Sequence, residues 1–203
     1  MPKKKKRNSS LEYDSVTLRY RSVTGLLVAR QVIRRETLKL AGTIIQRLVA
    51  LSNKLREGEI TVAEWLTDFR ADVKTAHSLA YVLAKGGRDS MTQSDWGTVG
   101  QITRFQYDRL NRFAEQIQNG GPVNMGRVRQ YGQAPRITYE NTVTAQVLER
   151  NPDQKARWVR TANESCDGCI EQEDRGVQRL DDFPDLGTLQ CLTNCRCFIH
   201  QVN

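Results

Sequence analysis

From Gly25 onward, apolar residues recur mostly at three- and four-residue steps: Leu27, Val28, Val32, Leu38, Ile44, Ile45, Leu48, Leu51 and Leu55. That is the period of a helix with one apolar stripe, so the spacing predicts a first helix running to Arg56. Arg30, Arg34, Arg35 and Lys39 fall between these positions and read as its solvated face. Ahead of it, Val16, Leu18 and Tyr20 alternate with Thr17, Arg19 and Arg21, the two-residue period of a short strand or extended lead-in.

The second helix carries the clearest start signal. Thr61 and Glu64 stand in the S/T-x-x-E arrangement of a capping box, and Ile60 and Trp65 flank it as a hydrophobic staple. Its stripe is Val62, Leu66, Phe69, Val73, Ala76, Ala80 and Leu83, and Gly86-Gly87 supplies a left-handed stop. A third helix begins at a second capping pair, Thr92 and Asp95, presents Val99, Ile102, Leu110, Phe113 and Ile117, and ends at Gly120-Gly121-Pro122. A fourth helical stretch covers roughly residues 124–149. Pro135 lies inside it and removes a backbone donor, so a kink or a division is expected there, with two helices joined by an elbow as the favoured form. Asn151-Pro152-Asp153 marks a turn, after which the pattern changes to a cysteine-bearing tail.

The organisation expected is therefore a basic arm over residues 1–10, a mainly α, amphipathic helical body over 11–152, and a cysteine-rich module over 153–203. The module is expected to be a small zinc-knuckle-like appendage, α/β or loop-rich. A chain of 203 residues supports one substantial core. A tail of some forty residues buries too little apolar surface to fold without a staple.

Charge refines this picture at one end. Of the formal +8, Lys3, Lys4, Lys5, Lys6 and Arg7 supply five, which leaves an ordinary balance on the rest. Such an arm suits contact with phosphates or an acidic protein surface, including non-specific DNA contact. It also looks like a nuclear localisation signal, a weak match because short basic runs are common. The lysines lead into Asn8, Ser9 and Ser10 rather than an apolar run, so no secretory signal is expected. No stretch of about 18 apolar residues is available to span a bilayer. Synthesis in a cytoplasm and no membrane partner follow as expectations.

Candidate chemistry is concentrated in the tail. Cys166 and Cys169 form C-x-x-C; after 21 residues Cys191, Cys195 and Cys197 follow as C-x-x-x-C-x-C, with His200 three positions on. Two short knuckles about twenty residues apart are the spacing of a structural zinc site, in which four soft ligands close a tetrahedron. Cys166 and Cys169 are the first pair, two of Cys191, Cys195 and Cys197 complete the set, and His200 is a reserve. Six possible ligands for four places argue against the open position of a catalytic metal. Unmetallated thiols or disulfides are the alternative. His77 lies beside the apolar stripe of its helix and reads as a packed side chain, and with two histidines no serine–histidine–aspartate set can be built. No phosphate-binding loop or dinucleotide fingerprint is present. Trp65, Trp96 and Trp158 read as core residues rather than base-stacking platforms.

The turn Ser165-Cys166-Asp167-Gly168-Cys169, then Pro184 and Gly187, then Cys191-Leu192-Thr193-Asn194-Cys195-Arg196-Cys197 resemble the closing signature of the head-morphogenesis or minor head proteins of tailed bacteriophages. Upstream, Gly58-Glu59-Ile60-Thr61 to Trp65, the His77 helix, Met91-Thr92 to Trp96-Gly97, and Gln106-Tyr107 to Phe113 follow a similar order. The resemblance covers most of residues 55–200, its tail specific and its helices suggestive. Cys191 stands where members often carry histidine, and Pro135 interrupts a helix that looks continuous in related sequences. The resemblance implies a non-enzymatic virion component, with portal, capsid or connector subunits as partners and no small-molecule substrate. A zinc-containing nucleic-acid-binding regulator using the basic arm is the alternative. A thiol oxidoreductase using Cys166 and Cys169 is a third class, disfavoured because no βαβ pattern surrounds them.

Overall fold

The computed structural model describes residues 12–22, 24–161 and 164–202. It is mainly helical, as expected, with a small cysteine-bearing α/β tail. A hairpin of β1 (Glu12–Asp14) and β2 (Arg19–Arg21) leads into α1 (Arg30–Arg56), α2 (Val62–Lys85), α3 (Gln93–Gln118) and α4 (Met125–Arg150). The tail adds β3 (Lys155–Val159), α5 (Asp167–Asp174), β4 (Val177–Arg179) and β5 (Phe198–Val202), with β3 central in an antiparallel sheet ordered β4-β3-β5. No described helix is long and apolar enough to cross a membrane.

The helix starts follow their local chemistry. Thr61 Oγ1 accepts the Glu64 amide at 3.2 Å while the Thr61 amide donates to the Glu64 carboxylate at 2.8 Å. Thr92 and Asp95 repeat this at α3, at 3.1 and 2.8 Å. Each reciprocal pair satisfies donors that a helix start leaves open. Gly86, in the left-handed region at φ 91°, closes α2.

Two expectations are corrected. The first helix starts at Arg30, so Leu27 and Val28 precede it: Leu27 bridges to Arg21, and the Val28 amide donates to the Tyr20 carbonyl at 2.6 Å. The extended lead-in likewise narrows to Arg19–Arg21, because Val16–Leu18 form the hairpin turn with Leu18 at φ 51°. The second correction concerns Pro135, which lies within one continuous α4 rather than between two separate helices. Every residue from Tyr131 to Glu140 except Gln133 is buried, so packing on several sides holds the helix across the missing donor. Gly132 lets α1 approach: a β-carbon there would come within 2.4 Å of Ile45.

All three cores draw on α4. The first joins Leu48, Trp65, Phe69, Leu110 and Phe113 with Val128 and Tyr131. Burying each large aromatic contributes roughly 2 to 3 kcal/mol. The Trp65 indole also donates to Ser52 at 3.1 Å, so the inner face of α1 includes a serine. A third, smaller core sets Tyr20 and Ile33 against Ala80, Ala84 and Tyr139. The second core belongs to the tail: Trp158, Leu180, Phe183 and Leu186 pack with Cys169, Cys195 and Cys197 on Ile137 and Val147 of α4.

His77, 2% exposed, meets Thr138 of α4 at 2.7 Å through Nδ1, while Nε2 is buried without a partner among the described residues. Burial depresses its pKa from 6.5 to about 4. Above pH 6.5 the ring is neutral in folded and unfolded chains alike and contributes no pH dependence. Below it the unfolded chain takes up a proton that the folded chain refuses until about pH 4, so folding weakens across that window by up to roughly 3 kcal/mol. Urea unfolding of His77→Gln should show a correspondingly shallower pH dependence over the same range; equal slopes for both proteins would refute this role of His77.

Candidate metal centre

Cys166 and Cys169 reach one point because a helix starts between them. Cys166 is the N-cap of α5, its carbonyl accepting the amides of Cys169 at 2.9 Å and Ile170 at 3.1 Å. The geometry turns Cys169 back towards Cys166 and puts both near a helix N-terminus, where partial positive charge favours thiolate. The other knuckle is a 3-10 turn, Leu192–Asn194, bracketed by Cys191 and Cys195. Leu192 adopts the left-handed φ of 47°, a conformation costly for a side chain with a β-carbon; its amide donates to the Leu189 carbonyl at 2.9 Å and its carbonyl accepts the Cys195 amide at 3.1 Å.

The two knuckles converge. Cys166, Cys169 and Cys191 place their sulfurs within 4.8 Å of one another, as do Cys169, Cys195 and Cys197, so Cys169 is common to both groups. Its Sγ lies 3.5 Å from that of Cys191 and 3.9 Å from that of Cys195. None of the five is in a disulfide. Such a cluster can hold a metal ion. His200 lies outside both groups: it sits exposed on β5 opposite Arg157 of β3. Lys3, Lys4, Lys5, Lys6 and Arg7 lie outside the described residues.

Electrostatics of the bare thiols point the same way. Burial pushes the Cys169 thiol up, and the neighbouring Cys197, Cys166 and Cys191 sulfurs push it further. Burial, then Cys166, raises Cys191 to about 12. Cys197 is also raised, first by burial and then by Cys195. At Cys166 burial acts in the same sense, but hydrogen bonds from the Cys169 amide and the Cys191 and Cys169 thiols outweigh it and lower the pKa. One thiolate is thus favoured, and more can coexist only if a cation compensates them. The Trp158 indole N–H, buried without a hydrogen-bond partner among the described residues, lies beside Cys197 and opposes, without outweighing, the rise of that thiol's pKa.

Three supports were not foreseen from the sequence. Arg136 of α4, 5% exposed, donates through Nη1 to the Cys197 carbonyl at 3.2 Å and through Nη2 to the Cys195 carbonyl, tying the second knuckle to the helical body. Asn141, one turn further, exchanges hydrogen bonds with the Leu186 backbone at 3.2 and 3.1 Å. The first knuckle is fixed separately: Glu173 of α5 accepts from the Arg160 amide at 3.0 Å and from its guanidinium at 2.5 Å. Arg136 carried a faint signal, a lone charge between Pro135 and Ile137, but nothing in the local pattern named its partners some sixty residues away.

Comparisons of the chain with protein-family models, with curated proteins and with solved structures find no match.

Replacing Arg136 by Met removes the two guanidinium donors to the Cys195 and Cys197 carbonyls and keeps every thiol. The expected result is a loss of about 2 to 3 kcal/mol in urea unfolding, with faster alkylation of Cys195 and Cys197 in metal-stripped protein, read by peptide mass spectrometry. Unchanged labelling would mean that other contacts hold the knuckle.

Proposed function

We propose that this chain is a structural or assembly component of a tailed-phage particle, a minor head or portal-associated protein, whose tail is stapled by one zinc ion. The observation that carries the reading is the convergence of the C-x-x-C and C-x-x-x-C-x-C thiols against α4. The same residues carry the resemblance to phage head proteins.

Zinc suits the donor set. Bonds of about 2.3 Å in a tetrahedron put sulfurs roughly 3.8 Å apart, and the separations at Cys169 are 3.5 and 3.9 Å. We assign Cys166, Cys169 and Cys191, which form one sulfur group, as ligands, and Cys195 as the fourth because its sulfur adjoins those of both Cys169 and Cys191; Cys197, which groups with Cys169 and Cys195, is left beside the Trp158 indole. A closed set of four thiolates makes the metal a structural element, because no position is left for water or substrate. In this role it fixes the turn between Cys191 and Cys195 on the helical body, presenting a rigid surface to portal, capsid or connector subunits.

Purified protein should contain one zinc per chain by elemental analysis. Serine at 166, 169, 191 or 195 should lower that content well below one, whereas Cys197→Ser should retain it; zinc-free wild-type protein would remove the staple. Mass spectrometry of purified procapsids and virions tests the wider reading. A fixed copy number supports it, and absence from both particles refutes it.

A further inference from the structure

The positive charge of the helical body is not spread evenly. Arg109 and Arg112 of α3 and Arg127 of α4 line one cavity of about 400 Å3, together with Gln106, Gln116 and Gln130. Among the described residues, no acidic side chain lines it. None of the three arginines forms an ion pair with a described residue. Asp108, one turn before Arg112, gives it only its backbone carbonyl, at 3.3 Å.

These guanidinium groups are held in place by neutral contacts. Arg127 donates to Gln116 Oε1 at 2.8 Å and to the Arg109 carbonyl at 3.0 Å, and stands 4.5 Å over the Phe113 ring. Arg109 stands 4.4 Å over Phe105. Their charges converge on one phenol: burial raises the pKa of Tyr131, and Arg127, Arg109 and Arg112 each oppose that rise. Three like charges gathered around a cavity repel one another, a cost that a bound anion relieves. Pre-ordered guanidinium donors suit an oxyanion that accepts several hydrogen bonds at once. Beside them Phe105 is 53% exposed, an aromatic surface of the kind on which a nucleobase stacks.

We propose that this cavity is a phosphate-binding site, with Arg109, Arg112 and Arg127 as the phosphate ligands. The phosphate can come from a nucleic-acid strand, whose base then lies on Phe105, or from a free phosphate compound. Leu192 and Thr193, in the turn between Cys191 and Cys195, form one wall. The metal-bearing knuckle therefore shapes the site, although the arginines alone define its chemistry. The proposed phosphate ligands include no residue of the basic arm, so binding should survive removal of residues 2–7.

The test uses full-length, metal-replete protein in three forms: wild type, Arg109→Gln/Arg112→Gln, and a charge-matched control, Lys74→Gln/Lys155→Gln. The control residues are exposed and do not line the cavity. Arg127 is left intact because it also packs on Phe113. Anisotropy of a labelled single-stranded oligothymidylate across a salt series, and calorimetric titration with inorganic pyrophosphate, read the two phosphate sources. Loss of about tenfold or more in oligonucleotide affinity by the arginine pair alone, with a salt slope shallower by about 0.7 per arginine, supports the site with a strand as source. Arginine-dependent binding of pyrophosphate only supports it with free phosphate as source. If both arginine and lysine pairs bind both probes as wild type does, or wild type binds neither, the proposal is overturned. Matched circular dichroism and zinc content establish that the variants are folded, and keep this outcome distinct from failure of the metal staple.

Discussion

Enclosure of α4 is the constraint on which the rest of the structure depends. The helix has almost no solvent face through its middle, with α1 and α2 packed along it and the cysteine tail laid across it. Its buried polar groups are matched to neighbours: Thr138 to His77, Gln146 to the Ala84 carbonyl at 3.0 Å, Arg136 to the second knuckle. Buried polar groups are tolerable only when satisfied in this way. Each such bond fixes the angle and register of a surrounding element.

The tail follows from that constraint. Its core is too small to stand alone, and it borrows Ile137 and Val147 from α4. The thiols sit where this shared core meets the two knuckles, so they are at once core side chains and a set that can hold a metal ion. Burial makes an isolated thiolate costly there, which is the condition under which a cation is most strongly retained. Metal binding and docking of the tail on α4 are therefore expected to reinforce each other through Arg136, which holds the ligand-bearing backbone from outside.

The arginine cavity has a similar origin. Arg109 and Arg112 belong to one helix, Arg127 to the next, and Leu192 and Thr193 to the tail turn. Read along the chain, they are ordinary charges on amphipathic faces. Brought together without carboxylates, they form a concentrated positive site on a body whose charge is otherwise close to balanced.

By itself the sequence determined the helical class, both capping boxes, the glycine stop of α2, and the thiol groups that come together. These rest on contacts spanning a few residues, or on ligand chemistry that spacing alone expresses. It was less informative about α1, whose inner face includes Thr37 and Ser52 and whose expected first residues pair with β2 instead. It misjudged Pro135, because a local rule prices the missing donor without the packing that surrounds it. Tertiary structure decided the unbroken course of α4, the partners of Arg136 and the gathering of three arginines around one cavity. Those depend on residues that are distant in sequence and adjacent only after the cores have formed, a proximity that no periodicity along the chain encodes.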